Sequence, residues 1–415
     1  MTSPTSPRRR VVVIGAGAAG TMAAIFAAGG GAETLLLERT AEGGRKILIS
    51  GGGRCNVLPL RLDESRFVTD SSPNVMRKMI RSWPLADQVS FFEHELGIPL
   101  LEEAESAKRF PASHRARDVR DGLLAHAAAR GATLLASTTV TDVAPDAGRW
   151  RVERDHGDAI IADAVIVATG GLSVPNTGSD GFGLGLLARL GHEMKPSYPA
   201  LTPITGGDAG FAALSGISLP VTLTARDRAR TATATGGFLF THRGYSGPSV
   251  LDVSHVVVRS RLEGDSSAAI SVRWTALGED EWTAALRPQG ARTVTGAVRR
   301  HLPERLVAVL LARAGVDAAR SLADLRRDER QRLVAILTRG ELPWSGDEGY
   351  KKAEVTGGGV ALGEVDPRTM ESRRQRGLYV CGEVLDAFGP IGGYNFLWAW
   401  ATGRAAGIGA AAARN

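Results

Sequence analysis

The chain has 415 residues, 43% hydrophobic and 23% charged, enough to bury two or three separate cores without disulfide or metal staples. Its formal charge of +6 arises from basic residues that are nearly all arginine, spread singly along the chain apart from Arg8, Arg9 and Arg10, so a nucleic-acid-binding stripe is not expected. Two cysteines, Cys55 and Cys381, lie far apart with no close-spaced pair, so neither a disulfide framework nor a metal cluster is suggested, and no apolar run reaches the ~18 residues of a membrane span.

Val11-Val12-Val13-Ile14 is a β-branched run followed by Gly15-Ala16-Gly17-Ala18-Ala19-Gly20 and an alanine-rich helical stretch over 21–28. The run 34–38 reads as a second parallel strand ending on Glu38, closing a unit of about 30 residues. Helices are expected over 74–130, the last of them at 118–130 with Gly131 as its stop. Strands over 134–143, 150–152 and 159–161 suggest a small antiparallel layer, and 163–168 a buried strand emptying into Thr169 and Gly170.

After Pro196 the pattern turns β-rich, with alternation at 221–224 and 269–272; from 279 to 339 it turns helical, centred on 304–314 and 328–337. Glycine-rich sequence resumes beyond Lys351, with a strand and turn over 377–383 and a final helix over 396–413. The expected organisation is a discontinuous α/β domain of 1–195 with 357–415, a β-rich insert of 196–278 with 345–356, and a helical subdomain at 279–344.

Side chains at Gly15, Gly17 and Gly20 would keep a pyrophosphate from the backbone amides and from the positive end of the following helix. Glu38, about 20 residues on, is placed to accept both ribose hydroxyls, and an acid there disfavours a 2′-phosphate, leaving FAD or NAD. Gly51, Gly52 and Gly53 free backbone amides to approach a flat ring, while Arg45 and Lys46 can neutralise phosphate or the ring's polar edge. Near the other end, amides of Gly393, Tyr394 and Asn395 at the start of the final helix would favour negative charge by a typical ~0.3 to 1 kcal/mol.

The stretch from Gly44 through Arg45, Lys46, Ile47, Leu48, Ile49, Ser50, Gly51, Gly52, Gly53, Arg54 and Cys55 to Asn56 resembles the FAD-dependent oxidoreductase family of BaiN-like bile-acid reductases and aminoacetone oxidases. Further blocks of the same resemblance are Val355-Thr356-Gly357-Gly358-Gly359-Val360, Gly382-Glu383-Val384-Leu385-Asp386, Gly392-Gly393-Tyr394-Asn395, and Phe240-Thr241-His242-Arg243-Gly244-Tyr245 in the insert. The resemblance implies a Rossmann-like, glutathione-reductase-like FAD-binding domain with an inserted β-barrel-like domain and a small helical subdomain. It implies one noncovalent FAD, held by Gly15, Gly17, Ala18, Ala19, Gly20, Glu38, Arg39, Gly44, Arg45, Lys46, Ser50, Gly51, Gly52, Gly53, Arg54, Cys55, Asn56, Val140, Ala168, Thr169, Gly170, Gly382, Glu383, Gly393, Tyr394, Asn395 and Phe396. Glu383 is implied as a ribityl or loop anchor.

His242, Tyr245, Tyr394 and Phe388 are candidate substrate contacts, with core or hairpin positions as the plainer reading of His242, Tyr245 and Tyr394, and no side chain is assigned to catalysis. Cys55, lacking the close partner of a redox pair, is expected to pack. The sequence departs from the family at Val57-Leu58-Pro59 and at Ala387-Phe388-Gly389-Pro390-Ile391, both where a substrate would meet the flavin, so substrate identity is not carried over. Because Gly181-x-Gly183-x-Gly185 follows a polar turn, no second nucleotide domain is expected and NAD(P)H would visit only transiently as an electron donor. The activity that the resemblance implies is NAD(P)H-linked reduction of a small unsaturated carbonyl compound, expected in the cytoplasm without metal or membrane. A peroxide-forming amine oxidase, an RNA-acting flavoprotein and a flavoprotein without turnover are the alternatives.

Overall fold

The valine run at the start of the chain is apolar on both faces, as a strand must be when helices cover both sides of its sheet. In the computed structural model, which describes residues 8–290 and 292–412, it is the central strand of a five-stranded parallel sheet. The strands are β1 (Arg10–Ile14), β2 (Glu33–Leu37), β3 (Ala132–Leu135), β4 (Ala164–Val167) and β5 (Leu378–Val380), in the order β5-β4-β1-β2-β3. Val12 lies opposite Leu35 on one side and Val165 on the other, and Ile166 lies opposite Tyr379, so the C-terminal strand extends the sheet begun at the N-terminus.

Two helices complete that join, α1 (Ala18–Gly29) and α2 (Tyr394–Ala411). A Cβ at Gly403 would fall 2.3 Å from the Ala19 carbonyl oxygen and one at Gly407 2.3 Å from that of Ala23, so the helices touch backbone to backbone. Gly403 and Gly407 are thus demanded by packing against the alanine face of α1. This unit comprises Met1–Ser197 and Val355–Asn415, and the second comprises Tyr198–Glu354.

Three expectations are corrected within the first unit. The segment 74–130 is not all helical: after Pro73–Arg81, Leu85–Ser90 and a π-helical turn at Phe91–Glu95, it forms the hairpin Leu100–Glu103 with Lys108–Pro111, before helix Ala116–Ala129. Leu100, Leu101 and the glutamates suit a helix locally, but pairing of Leu58 with Arg109 and Pro59 with Lys108 holds the stretch extended. The strand expected over 134–143 is two strands: Ser137, at φ 49°, breaks it into β3 and Val140–Asp146, which pairs antiparallel with Arg149–Arg154. The final helix starts at Tyr394, and Ala413, expected as its last residue, lies outside the described residues.

The second unit is a seven-stranded antiparallel sheet containing Ser218–Arg226, Thr231–Thr241 and Ala269–Arg273. The helices of 279–344, expected as a subdomain of their own, instead share this sheet's core. Trp282, Leu306, Leu310, Leu333 and Leu337 are buried in one cluster with Phe238, Val272 and Trp274, and the Trp274 N–H donates to the Leu337 carbonyl at 3.1 Å. The short helices carry apolar faces that cannot be buried among themselves, so the sheet covers them. Among the described residues no helix is long and apolar enough to cross a membrane.

Candidate cofactor site

The glycine turn between β1 and α1 separates two demands on small residues. A Cβ at Gly20 would fall 1.8 Å from the Gly15 carbonyl oxygen, so this glycine lets helix and turn pack. A Cβ at Gly17 would meet nothing within 4 Å, and its φ of −77° suits any residue, so the protein itself does not require glycine there. The open space beside Gly17 lies at the N-terminus of a 12-residue helix, where a phosphate is favoured. Ala18 and Ala19 begin that helix, and Ala168, Thr169 and Gly170 follow β4 beside the turn, with the Ala168 carbonyl 2.7 Å from where a Gly15 Cβ would be.

Glu38, buried at the end of β2, braces the turn. Its Oε2 accepts from the Ala16 N–H at 3.0 Å, and its Oε1 accepts from the Thr40 N–H at 2.9 Å and the Thr40 hydroxyl at 2.7 Å. The carboxylate expected only as a ribose acceptor is therefore also part of the turn's own hydrogen-bonding. Thr138 N–H donates to the Glu38 carbonyl at 2.8 Å, which brings the segment leading to buried Val140 alongside. Arg39 is exposed and paired with Asp180, while Arg45 is exposed on the short helix Arg45–Ile49 that Gly44 opens.

Lys46, on that same helix, is tied to the C-terminal part of the unit. Its ammonium donates to Glu383 Oε2 and to Ser173 Oγ, each at 2.8 Å; Ser173 Oγ donates onward to Glu383 Oε1 at 2.7 Å, and the Thr356 N–H donates there at 3.0 Å. Burial alone would raise the Glu383 carboxyl, but the Lys46 charge and these hydrogen bonds outweigh it and hold Glu383 below the usual range. Ser173 and Thr356 were not among the expected site residues. Thr356 stood inside a quoted glycine block and Ser173 just after Gly170 and Gly171, but only the fold shows that both serve one ion pair.

The glycine loop 51–53 folds over Asn56: a Cβ at Gly51 would lie 2.6 Å from Asn56 Oδ1. Ser50 Oγ donates to the Ile47 carbonyl at 2.8 Å, and Arg54 stacks over Phe110 at 4.0 Å and pairs with Glu103 at 3.0 Å. Burial pushes the Cys55 thiol up to about 12, so it stays protonated and packs.

At the other side of the site, the Gly382 N–H donates to Thr402 Oγ1 and the Trp398 indole N–H to the Gly382 carbonyl, each at 3.0 Å, fastening that turn to α2. Gly393 precedes α2, whose first turn carries no acidic residue. Asn395 exchanges two hydrogen bonds of 2.9 Å with the backbone of Gly389, pinning the 387–391 loop to the helix start. Tyr394 is buried, donating to the Arg61 carbonyl at 3.2 Å, and Phe396 stacks on Trp400.

The expected substrate contacts are corrected here. A side chain that meets a substrate must be reachable, yet Phe388 is 3% exposed, with its backbone bridged to Val68, and Tyr245 is 1% exposed inside an aromatic cluster with Phe211, Phe238 and Phe240. His242 is exposed at the turn after Thr231–Thr241 in the second unit, and nothing local marks it as a ligand contact. Gly183, part of the second glycine pattern, is explained by packing: a Cβ there would lie 2.1 Å from Thr169 Oγ1.

The site fits a flavin dinucleotide on its own terms. Beyond the open Gly17 and the braced Glu38, Asn56 Oδ1 and Thr169 Oγ1 are buried without a hydrogen-bond partner in the protein, which is costly unless a ligand supplies one. Among the described residues no group of His, Cys, Asp and Glu is arranged to hold a metal ion.

The HI0933-like protein Rossmann domain matches residues 9–409. The ribosomal RNA dihydrouridine synthase of Haemophilus influenzae is 32% identical over 383 residues, covering 88% of this chain and 89% of that protein. The 3-dehydro-bile acid delta(4,6)-reductase of Clostridium scindens is 30% identical over 385 residues, covering 89% and 90%. Of solved structures, the 3-ketosteroid delta1-dehydrogenase from Sterolibacterium denitrificans matches over 98% of this chain and 100% of its own with a TM-score of 0.54 at 11% identity, a likeness of fold.

Proposed function

The chain belongs to the HI0933-like Rossmann family and is an FAD-dependent oxidoreductase; from this we propose that it is a reductase, adding hydride to a carbon–carbon double bond conjugated with a carbonyl. The observation that carries the reading is that two relatives of about 30% identity, one named as a delta(4,6)-reductase of a 3-dehydro-bile acid and one as a ribosomal RNA dihydrouridine synthase, have names that both describe saturation of a double bond conjugated with a carbonyl. Bound FAD supplies the two-electron chemistry.

The residues of the chain do the rest. The Gly15 to Gly20 turn and the N-terminus of α1 would receive the pyrophosphate, Glu38 the adenosine ribose, and the Lys46–Glu383 pair the ribityl chain between pyrophosphate and ring. Asn56 Oδ1 and the 51–53 loop would hold the ring, and the N-terminal amides of α2 would favour negative charge at its polar edge. NAD(P)H serves as a transient donor, binding without a nucleotide domain of its own.

A second reading, reduction of uridine within RNA, is favoured by the 32% and 31% identities to ribosomal RNA dihydrouridine synthases. Incubating FAD-loaded, NADPH-reduced protein anaerobically with a conjugated cyclic ketone, with uridine, or with ribosomal RNA, and measuring saturated product by mass spectrometry, separates the two. Saturation of none of them, with bleaching by small amines and peroxide release in air, would replace both with the oxidase.

A further inference from the structure

The chain that leaves β4 for the helix Phe182–Arg189 takes a backbone shape that its own residues resist. Val174 sits at φ 49° and ψ 64°, and among the described residues it is the only β-branched one with a positive φ. A branched Cβ fits the left-handed region poorly, and the ring of Pro175 pushes the residue before it towards an extended backbone. Such strain persists only where the surroundings over-determine it.

Those surroundings form a latch on each side. Before Val174, the Leu172 and Ser173 N–H groups donate to Thr356 Oγ1 at 2.7 and 3.1 Å, and the buried Ser173 hydroxyl joins Lys46 to Glu383. A Cβ at Gly171 would lie 2.5 Å from Thr356 Cβ, so only glycine lets the segment come down onto this network. After Val174, Asp180 pairs with Arg39, a Cβ at Gly178 would lie 3.4 Å from Thr40 Cγ2, and a Cβ at Gly170 would lie 3.2 Å from Ser179 Oγ. Between them the Val174 carbonyl accepts from the Thr177 N–H at 2.9 Å and the Thr177 hydroxyl at 2.8 Å, fixing the turn Pro175–Thr177. The segment thus reaches from the Lys46–Glu383 pair to the neighbours of Glu38, the groups assigned above to the ribityl chain and the adenosine ribose.

Resting on the reading that FAD occupies this site, we propose that residues 172–180 form a spring-loaded strap that closes it. Ser173 and Asp180 hold the strap shut, and the unfavourable backbone at Val174 drives it open when a latch lets go, which admits and releases FAD. Val174 is a positioning residue: it sets how long the strap stays shut, not what the site binds. Because the shut strap carries the strain with or without FAD, relieving it slows binding and release together and leaves the Kd near that of the wild type.

The test compares the wild type with Val174→Asn and Val174→Gly, whose new residues accept a positive φ, with Val174→Ala, which accepts it less well, and with Ser173→Ala, which undoes one latch. Release of FAD into an excess of a scavenging apoprotein, and uptake of FAD by the FAD-free protein, are followed by flavin fluorescence. Val174→Asn and Val174→Gly should slow both rates about tenfold, with Val174→Ala between them and the wild type. Ser173→Ala should speed release about tenfold or more, and adding Val174→Asn should recover most of that. In the FAD-free proteins, hydrogen exchange of the Leu172 and Ser173 amides should be slowed by Val174→Asn and hastened by Ser173→Ala. If the valine only packs, the order reverses, with Val174→Gly releasing FAD and exchanging its amides fastest; that result, or rates indifferent to residue 174, would overturn the proposal. A wild-type protein that takes up no FAD refutes the cofactor reading instead, and the exchange measurement then decides the strap by itself.

Discussion

Lys46 Nζ and Glu383 Oε2 stand 2.8 Å apart although 337 positions separate them in the chain, so one ion pair joins the first glycine-rich segment to the last. Their side chains are 27% and 18% exposed, which leaves Glu383 expensive to strand. Lys46→Met should lower the stability of the FAD-free protein by about 1.5 to 3 kcal/mol, the usual cost of losing a charged hydrogen-bond partner. Adding Glu383→Gln should cost less than the sum of the single changes in urea unfolding, because the two residues act on each other.

Gly17 and Gly20 should answer differently to the same kind of change. Gly17→Val should leave the melting temperature of the FAD-free protein near the wild type yet weaken FAD binding at least tenfold, because its side chain fills only the open space at the helix start. Gly20→Ala should destabilise the protein with or without FAD, since its Cβ meets the Gly15 carbonyl at 1.8 Å. Equal effects on FAD-free stability would mean that Gly17 is not where the pyrophosphate sits.

How much of this was legible before folding depends on whether a residue's task is local. The strand, turn, helix and acid of 11–38 announce themselves because each needs its own residue type at a short spacing, and the structure shows that Glu38 braces Ala16 and Thr40. The partnership of Lys46 with Glu383, Ser173 and Thr356 was invisible because it exists only once β5 lies beside β4. The hairpin at 100–111 misled because its leucines, alanines and glutamates suit a helix, and only tertiary pairing with Leu58–Pro59 overrides them. Of the two readings open for Tyr245, substrate contact or core position, burial selects the plainer one, its ring filling a core.

Asp386 gives a pH signature. Burial is the main reason its carboxyl is pushed up to about 6, with the neighbouring Asp70 charge adding to it and hydrogen bonds from Ser71, Thr69 and the Asp70 N–H opposing. A carboxyl whose folded pKa is raised contributes stability that is full below its unfolded value and is lost as pH rises through the folded one. Between about pH 4 and pH 7 the wild type should therefore lose about 2 to 3 kcal/mol more than Asp386→Asn, at 1.36 kcal/mol per unit. Parallel stability profiles for the two proteins from urea unfolding would contradict this.

Both cysteines should be silent toward an aromatic disulfide reagent at pH 8 in the native protein. Cys55 and Cys381 are 0% exposed, and burial raises both thiols well above that pH. Unfolding in guanidinium should release two reactive thiols per chain. A fast-reacting native thiol would reopen a redox role for Cys55.

The reductase reading turns on where the electrons of the reduced flavin go. The most direct measurement is anaerobic stopped-flow mixing of dithionite-reduced, FAD-loaded protein with a conjugated carbonyl compound, cyclic enone or uridine-containing RNA, following return of the oxidised flavin absorbance. Reoxidation by at least one of these, with one saturated product formed per flavin and none from the saturated analogue, is the expected result. Flavin that stays reduced with every conjugated acceptor and is reoxidised only when oxygen is admitted would contradict the assignment as a reductase.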